Sequence, residues 1–302
     1  MTREILAIAK RRKLIRLLAP ARWLALVLSL CATATSAQTK TTKHENPDWD
    51  DKIVPGSQLT VLELAKQILP DINSNPNKAD KITATDLSSI RWLEGIQPTG
   101  MELDPNSTDE CEITDPDYLW IKDGGYRHLV LLLKVNLEAV VIGLFKVSPE
   151  VSLLDAVTVA QDMHVDVNRE KVWAIHSQRE AFSVHCWHDN SSESFDTYTF
   201  VSVVDLKLRA VAGPIGSSGF ATYSPASQRL CKTSATPKFQ FVSSQGRGYF
   251  DLIENEITLK VCHRDSEEWS WKTGVVYRKS VRRLWRWSAK HKQYRRAAIS
   301  RK

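Results

Sequence analysis

Several residue types that bind metals or transfer protons are concentrated in the stretch "SVHCWHDNSSESF", residues 183–195. Side chains alternate between the two faces of a regular strand, so His185 and His188 would point in opposite directions. A zinc ion needs its imidazole ligands to converge at about 2 Å. The following "DNSS" is typical of a strand end and an Asx-type turn. We therefore interpret this stretch as a strand and its turn, with a metal site as the alternative.

A second polar cluster lies in "LLDAVTVAQDMHVDV", where Asp162, His164 and Asp166 alternate. On an extended chain this spacing places all three side chains on one face. Carboxylates suit calcium or magnesium, and imidazole suits a transition metal. Together with His188 and Asn190 from the nearby strand, the cluster is a candidate binding site. The alternative is the solvent-facing side of an edge strand.

A third candidate lies near the C-terminus, where Trp285, Arg286 and Trp287 alternate aromatic and basic side chains. Such a pattern could form a stacking or cation–π surface for sugars or anionic lipids. The alternative is that the tryptophans cover the open end of a β core. We assign no catalytic residue and no cofactor, and leave a divalent metal as the alternative.

The N-terminus has the pattern of a secretory signal peptide. Residues 1–23 hold seven Lys/Arg and one acid, and an uncharged apolar run and small residues follow, "LALVLSLCATATSAQ". The apolar run is shorter than the roughly 20 residues of a membrane span. We therefore predict a signal peptide over 1–37 and an exported protein, periplasmic or extracellular. An uncleaved membrane anchor is the alternative.

The charge of the chain is unevenly distributed. The whole chain has a formal charge of +6, and residues 1–37 contribute all of it, so the high pI is no indication of nucleic-acid binding. After Glu268 there is no acid, whereas residues 269–302 hold twelve Lys/Arg. A basic C-terminal region of this kind predicts anionic partners, either envelope lipid or polysaccharide. Solvated strand faces are the alternative.

Cysteine usage is consistent with export. Beyond the predicted signal peptide lie Cys111, Cys186, Cys231 and Cys262, an even number that allows three pairings. We favour a disulfide between Cys231 and Cys262, because a hairpin is predicted between them. Buried thiols are the alternative.

The body of the chain predicts a mainly β protein. Runs such as "AFSVHCWH", "DTYTFVSVV" and "KFQFVSS" alternate apolar and polar residues between short polar turns. No amphipathic stretch of helical length separates them, which favours antiparallel sheets in a meander, sandwich or barrel-like arrangement over a parallel α/β fold. A propeller-like arrangement stays open.

A small α-helical unit precedes these strands. The stretch "SQLTVLELAKQILPDI" has one apolar stripe that ends at Pro70, and "ATDLSSIRWLEG" predicts a second short helix capped by Thr85 or Asp86. The sequence predicts five regions. They are a signal peptide (1–37), a flexible leader (38–56), a helical unit with a loop (57–117), an antiparallel β domain (118–296) and a basic tail (297–302).

Two short motifs resemble exported bacterial β-rich proteins of unknown function. "LLDAVTVAQD" followed by "HDNSSESF" resembles their LLD-x-V strand and H-x-N-S turn, and "RWSAKHKQY" is similar to a closing hairpin with Trp and Tyr seven positions apart. The resemblance covers about half of the chain beyond residue 37. It implies an exported β-rich fold and no particular activity.

These patterns favour an exported, envelope-associated binding or structural module that is not an enzyme. The alternative function is a metal-dependent hydrolase that uses the His/Asp cluster. The chain contains no nucleophile elbow, P-loop or H-E-x-x-H motif. The oligomeric state stays open.

Overall fold

The computed structural model describes most of the chain beyond residue 45. The described residues are 46–74, 82–84, 87, 89–94, 111–135, 139–160, 164–189, 193–224, 229–244, 248–264 and 275–297. The predicted signal peptide, Asp162 and Asn190 lie outside these residues, as do parts of the predicted leader and of the basic tail.

The described chain contains one helix and fifteen strands. The N-terminal elements are α1 (Val61–Ile68), β1 (Asn73–Ser74), β2 (Ile82–Ala84) and β3 (Arg91–Trp92). The next strands are β4 (Cys111–Asp123), β5 (Tyr126–Val135), β6 (Ala139–Lys146), β7 (Ser152–Ala160), β8 (His164–His176) and β9 (Arg179–Asp189). The last are β10 (Glu193–Val204), β11 (Lys207–Ser224), β12 (Arg229–Val242), β13 (Asp251–Arg264), β14 (Val275–Ser288) and β15 (Gln293–Arg296).

The strands form one large sheet whose main path runs β15-β14-β13-β12-β11-β10-β9-β4-β5-β6-β7-β3. Every pairing in the described residues is antiparallel except that of β3 with β7. The path does not return on itself over the described residues, so the sheet is not closed. The predicted mainly β, antiparallel fold with a small N-terminal helix is confirmed.

Side chains from the two halves of the sheet share one central core. β5 and β6 read "YRHLVLLLKV" and "AVVIGLFK", runs with no alternation, because both of their faces are buried. One face contributes Val130, Leu132 and Ile142 to a buried cluster that also contains Phe182 and Val184 of β9. The sheet therefore folds back so that β4–β7 face β8–β11.

Helix α1 covers the other face of β5 and β6. Thr60 and Glu63 form a capping box, with Thr60 Oγ1 accepting from Glu63 N at 3.2 Å and Glu63 Oε2 accepting from Thr60 N at 2.7 Å. Ile68 lies directly over Gly143, where a Cβ would overlap the Ile68 side chain. Trp49 and Val54, inside the predicted leader, pack into this same core. Within the described residues, no helix is long and apolar enough to cross a membrane.

The second predicted helix, over 84–95, is wrong in the described part of that stretch. Arg91 and Trp92 form strand β3, which pairs with β7. The Arg91 guanidinium donates to Asp155 Oδ1 at 3.2 Å and to the Leu208 carbonyl at 2.8 Å. These partners lie far away in the sequence, so tertiary contacts decide the conformation against the local helical pattern.

The C-terminal strands form a third core on the outer face of β9–β11. Phe200 and Phe241 pack edge-to-face at 5.3 Å, and Phe241 contacts Tyr294 of β15 in the same geometry. The Tyr294 hydroxyl donates to the Phe250 carbonyl at 2.8 Å, and Trp287 lies opposite Tyr294 in the β14–β15 ladder. The predicted closing hairpin is therefore confirmed.

The predicted disulfide between Cys231 and Cys262 is also confirmed. The two residues are directly opposite each other on β12 and β13, and their sulfur atoms are bonded. The disulfide therefore links the two strands of the β12–β13 hairpin near the end opposite its turn. Cys186, in contrast, is a buried free thiol, and burial raises its pKa to about 12.

Replacing both Cys231 and Cys262 by Ser should lower the free energy of unfolding by about 3–4 kcal/mol, because the bond closes a long loop in the unfolded chain. Urea unfolding with and without reductant measures the effect. Reductant should destabilise the wild type and leave the double variant unchanged. Equal stability of the wild type in both conditions would show that the bond contributes nothing.

Candidate functional site

The polar residues of β8 and β9 meet side by side, but not in the predicted combination. His164 is opposite Trp187 and Asp166 is opposite His185 in the β8–β9 ladder, so these four side chains share one face. His188 is on the other face of β9, opposite Phe195 of β10. The strand alternation inferred for His185 and His188 agrees with this register.

The predicted metal cluster is therefore divided between the two faces of the sheet. His164 and Asp166 are separated from His188, and Asp162 and Asn190 lie outside the described residues. Among the residues that the structure describes, no group of three or more His, Cys, Asp or Glu side chains could hold a metal ion. The geometry of the described cluster offers no support for a metal-assisted reaction.

His185 has partners that the sequence did not indicate. Its Nε2 is 2.7 Å from Asp196 Oδ1 on β10, and its ring stacks on Tyr198 at 4.4 Å with an interplanar angle of 9°. Trp187 stacks on the same imidazole at 4.9 Å. These contacts fix the orientation of the ring. In the sequence, only the strand alternation bears on His185. It predicts the face of the strand on which the side chain lies, but not the residues that it contacts.

Trp285 and Trp287 of β14 face inward. Trp287 stacks on Tyr249 with ring centroids 3.9 Å apart, and both tryptophans pack against the third core. The Trp285 Nε1–H donates to Glu254 Oε2 at 2.9 Å. The indoles are therefore engaged in covering the core, whereas Arg286, between them, points outward and is about half exposed.

A buried charge lies beneath the inward face of β14. Glu254 of β13 is only 1% exposed, and its carboxylate accepts a hydrogen bond from Arg283. Arg283 Nη1 also donates to Glu256 Oε2 at 3.0 Å. The hydrogen bonds to Glu256, and then to Glu254, raise the pKa of the Arg283 guanidinium above its usual value. This network holds β13 and β14 together from inside.

The outward face of the last four strands is basic. We call the following five exposed residues the basic face: Lys238 of β12, Arg278, Arg282 and Arg286 of β14, and Arg295 of β15. Lys238, Asn255 and Arg282 form one row across three strands. Along β14 the arginines recur every fourth residue, about 13 Å apart, and neighbouring strands are about 4.8 Å apart.

Two arginines of the basic face oppose each other directly. Arg286 and Arg295 are register partners in the β14–β15 ladder. Like charges at directly opposite positions destabilise a strand pair. In the described residues the acidic group that reaches this pair is Asp251, whose Oδ2 is 4.0 Å from Arg286 Nε, a long and solvent-exposed contact. The Gln293 side-chain oxygen accepts a hydrogen bond from Arg295 Nε at 2.9 Å but carries no charge. One carboxylate therefore faces two guanidinium groups, and the pair keeps a net positive charge that an anion can neutralise.

Compared with known proteins, the chain matches no family model, no curated protein and no solved structure.

Arg282 and Arg283 point to opposite faces of β14, which predicts very different effects on stability for substitutions at the two positions. Arg283→Gln should cost about 3–5 kcal/mol of unfolding free energy, because it leaves the Glu254 carboxylate buried without its cation. Arg282→Gln, on the exposed face, should change stability by no more than about 0.5 kcal/mol. Urea denaturation of both variants provides the test, and equal effects would contradict the inward network.

Proposed function

We propose that the protein is an exported, envelope-associated binding module, without enzymatic activity, whose basic face binds anionic envelope lipid or polysaccharide. The observation that carries this proposal is the opposed pair Arg286 and Arg295. An arrangement that is unfavourable in the isolated protein becomes favourable when a phosphate or carboxylate group lies between the two guanidinium groups.

The distribution of charge supports a surface of this kind. The positive side chains lie on the outward sides of adjacent strands, and Arg282 and Arg286 extend into solvent from the same face of β14. Arg283, the inward neighbour of Arg282, is neutralised by Glu254 and Glu256. The outward charges are therefore available to a partner, and a broad array suits repeated anionic groups better than a single small ion.

Export is supported by two independent features. The first is the basic and then apolar N-terminal pattern, which is typical of a signal peptide. The second is the Cys231–Cys262 disulfide, a bond that persists in oxidising compartments. Both features are consistent with a protein that meets its anionic partner in the cell envelope.

The intact protein should bind vesicles containing phosphatidylglycerol and release them as the salt concentration rises, because salt screens exposed charges. Replacing Arg282, Arg286 and Arg295 together by Gln should weaken vesicle binding about 100-fold, since each basic side chain near an anionic surface contributes about 1 kcal/mol. Co-sedimentation at low and high salt measures both effects.

The matched control replaces Lys66, Lys146 and Lys207 by Gln. These side chains are exposed on other parts of the molecule, and the net charge changes by the same amount. The control should bind vesicles as the wild type does. A soluble anionic polysaccharide in place of vesicles distinguishes the two sources of anionic groups. Equal losses in the two triple variants would show that net charge alone, not the basic face, causes binding.

A further inference from the structure

A cavity of about 530 Å³ is lined by residues of β4–β6 on one side and of β8–β10 on the other. These strands belong to the two halves of the sheet that face each other across the central core. Strands β4 and β8 both contribute polar residues to the cavity. The volume of the cavity is within the range of small-molecule sites.

Irregular backbone on both strands shapes the cavity. The β4–β5 ladder is interrupted between Thr114 and Asp117, and the intervening Asp115 has a φ of 44°. The β8–β9 ladder is interrupted just after Asn168. Bulges of this kind re-aim side chains and are frequent beside functional sites. Here they turn polar residues of two strands toward one space.

The two bulges are connected by an ion pair. The Arg169 guanidinium of β8 donates to the Asp117 carboxylate of β4 and to the side-chain oxygen of Asn46. Asp117 also accepts a hydrogen bond from the backbone N–H of Tyr118 at 2.7 Å. This connection joins β4 to β8 across the cavity and neutralises one of the cavity's acids.

The remaining charges of the lining are mostly negative. Asp115, Asp166 and Glu170 line the cavity and make no ion pair within the described residues, and they face one further cation, Lys134. All three acidic residues are exposed. The site therefore favours a cationic occupant over an anionic one.

An aromatic wall and an apolar base complete the site. His185 and Tyr198 form a stacked pair on one side, with the imidazole held by Asp196. Leu132 and Val140, which belong to the central core, lie at the base. Carboxylates beside an apolar base are the groups that bind ammonium ions on an aliphatic chain, by ion pairing and burial of methylene groups.

We propose that this cavity binds a small aliphatic di- or polyamine, with its ammonium groups against Asp115, Asp166 and Glu170 and its methylene chain over the apolar base. The site is independent of the basic face, which lies on β12, β14 and β15 and selects the opposite charge. Neither function requires the other.

Titration calorimetry of the intact protein with spermidine tests the proposal. Asp166→Asn and Asp115→Asn should each weaken spermidine binding about tenfold. Asn tolerates a positive φ, so Asp115→Asn keeps the local backbone. Lys134→Gln should strengthen binding several-fold, because it removes a competing cation. Glu150→Gln, an exposed acid outside the cavity, serves as the matched control and should bind as the wild type does.

Two other titrants, succinate and calcium chloride, identify the alternatives. Succinate binding that is lost in Lys134→Gln would overturn the proposal in favour of an anion site. Calcium binding that depends on Asp166 in the absence of spermidine binding would overturn it in favour of a metal site. No heat with spermidine, or weaker spermidine binding in Lys134→Gln, would also overturn it.

Discussion

The structure depends on covering both faces of the strands at the middle of the sheet. β5 and β6 are apolar on each side, so no arrangement with one face in water would be stable. Helix α1 covers one face, and the folded-back strands β8–β11 cover the other. Those strands then expose a second apolar face, around Phe200, which the C-terminal strands cover in turn. Each added layer therefore leaves an apolar face that another layer must cover, except β12–β15, whose outer face is charged.

This layering explains where the irregular features lie. The β4–β5 ladder is interrupted between Thr114 and Asp117, and the β8–β9 ladder just after Asn168. The Arg169–Asp117 ion pair connects these two irregular segments across the halves of the sheet. Polar side chains consequently reach the edge of the central core at this place. A cavity with an apolar base and charged sides is the geometric consequence of the fold.

The sequence predicts the strands and their faces well, because period-two alternation directly reflects half-buried strands. It also predicts the closing hairpin. The disulfide is predicted because Cys231 and Cys262 lie on neighbouring strands of one hairpin. The sequence-based prediction fails over the described part of residues 84–95, where contacts of Arg91 with Asp155 and Leu208 override a local helical pattern. Alternation cannot decide which face of β14 is covered, since that depends on Tyr249 and Tyr294. Likewise, the link between His185 and Asp196 requires the register of two strands.

The last strands show how one residue type acquires two roles from position alone. Arg283 and Arg282 are adjacent, yet one neutralises the buried Glu254 and the other extends from the outer surface. A buried ion pair must keep both partners, because removing either leaves an uncompensated charge. The outer arginines have no such constraint from folding, and the opposed pair Arg286 and Arg295 costs stability in the free protein. Retaining that cost is physically reasonable when an anionic partner offsets it, so the proposed binding surface is the outer face and not the inward tryptophans beside it.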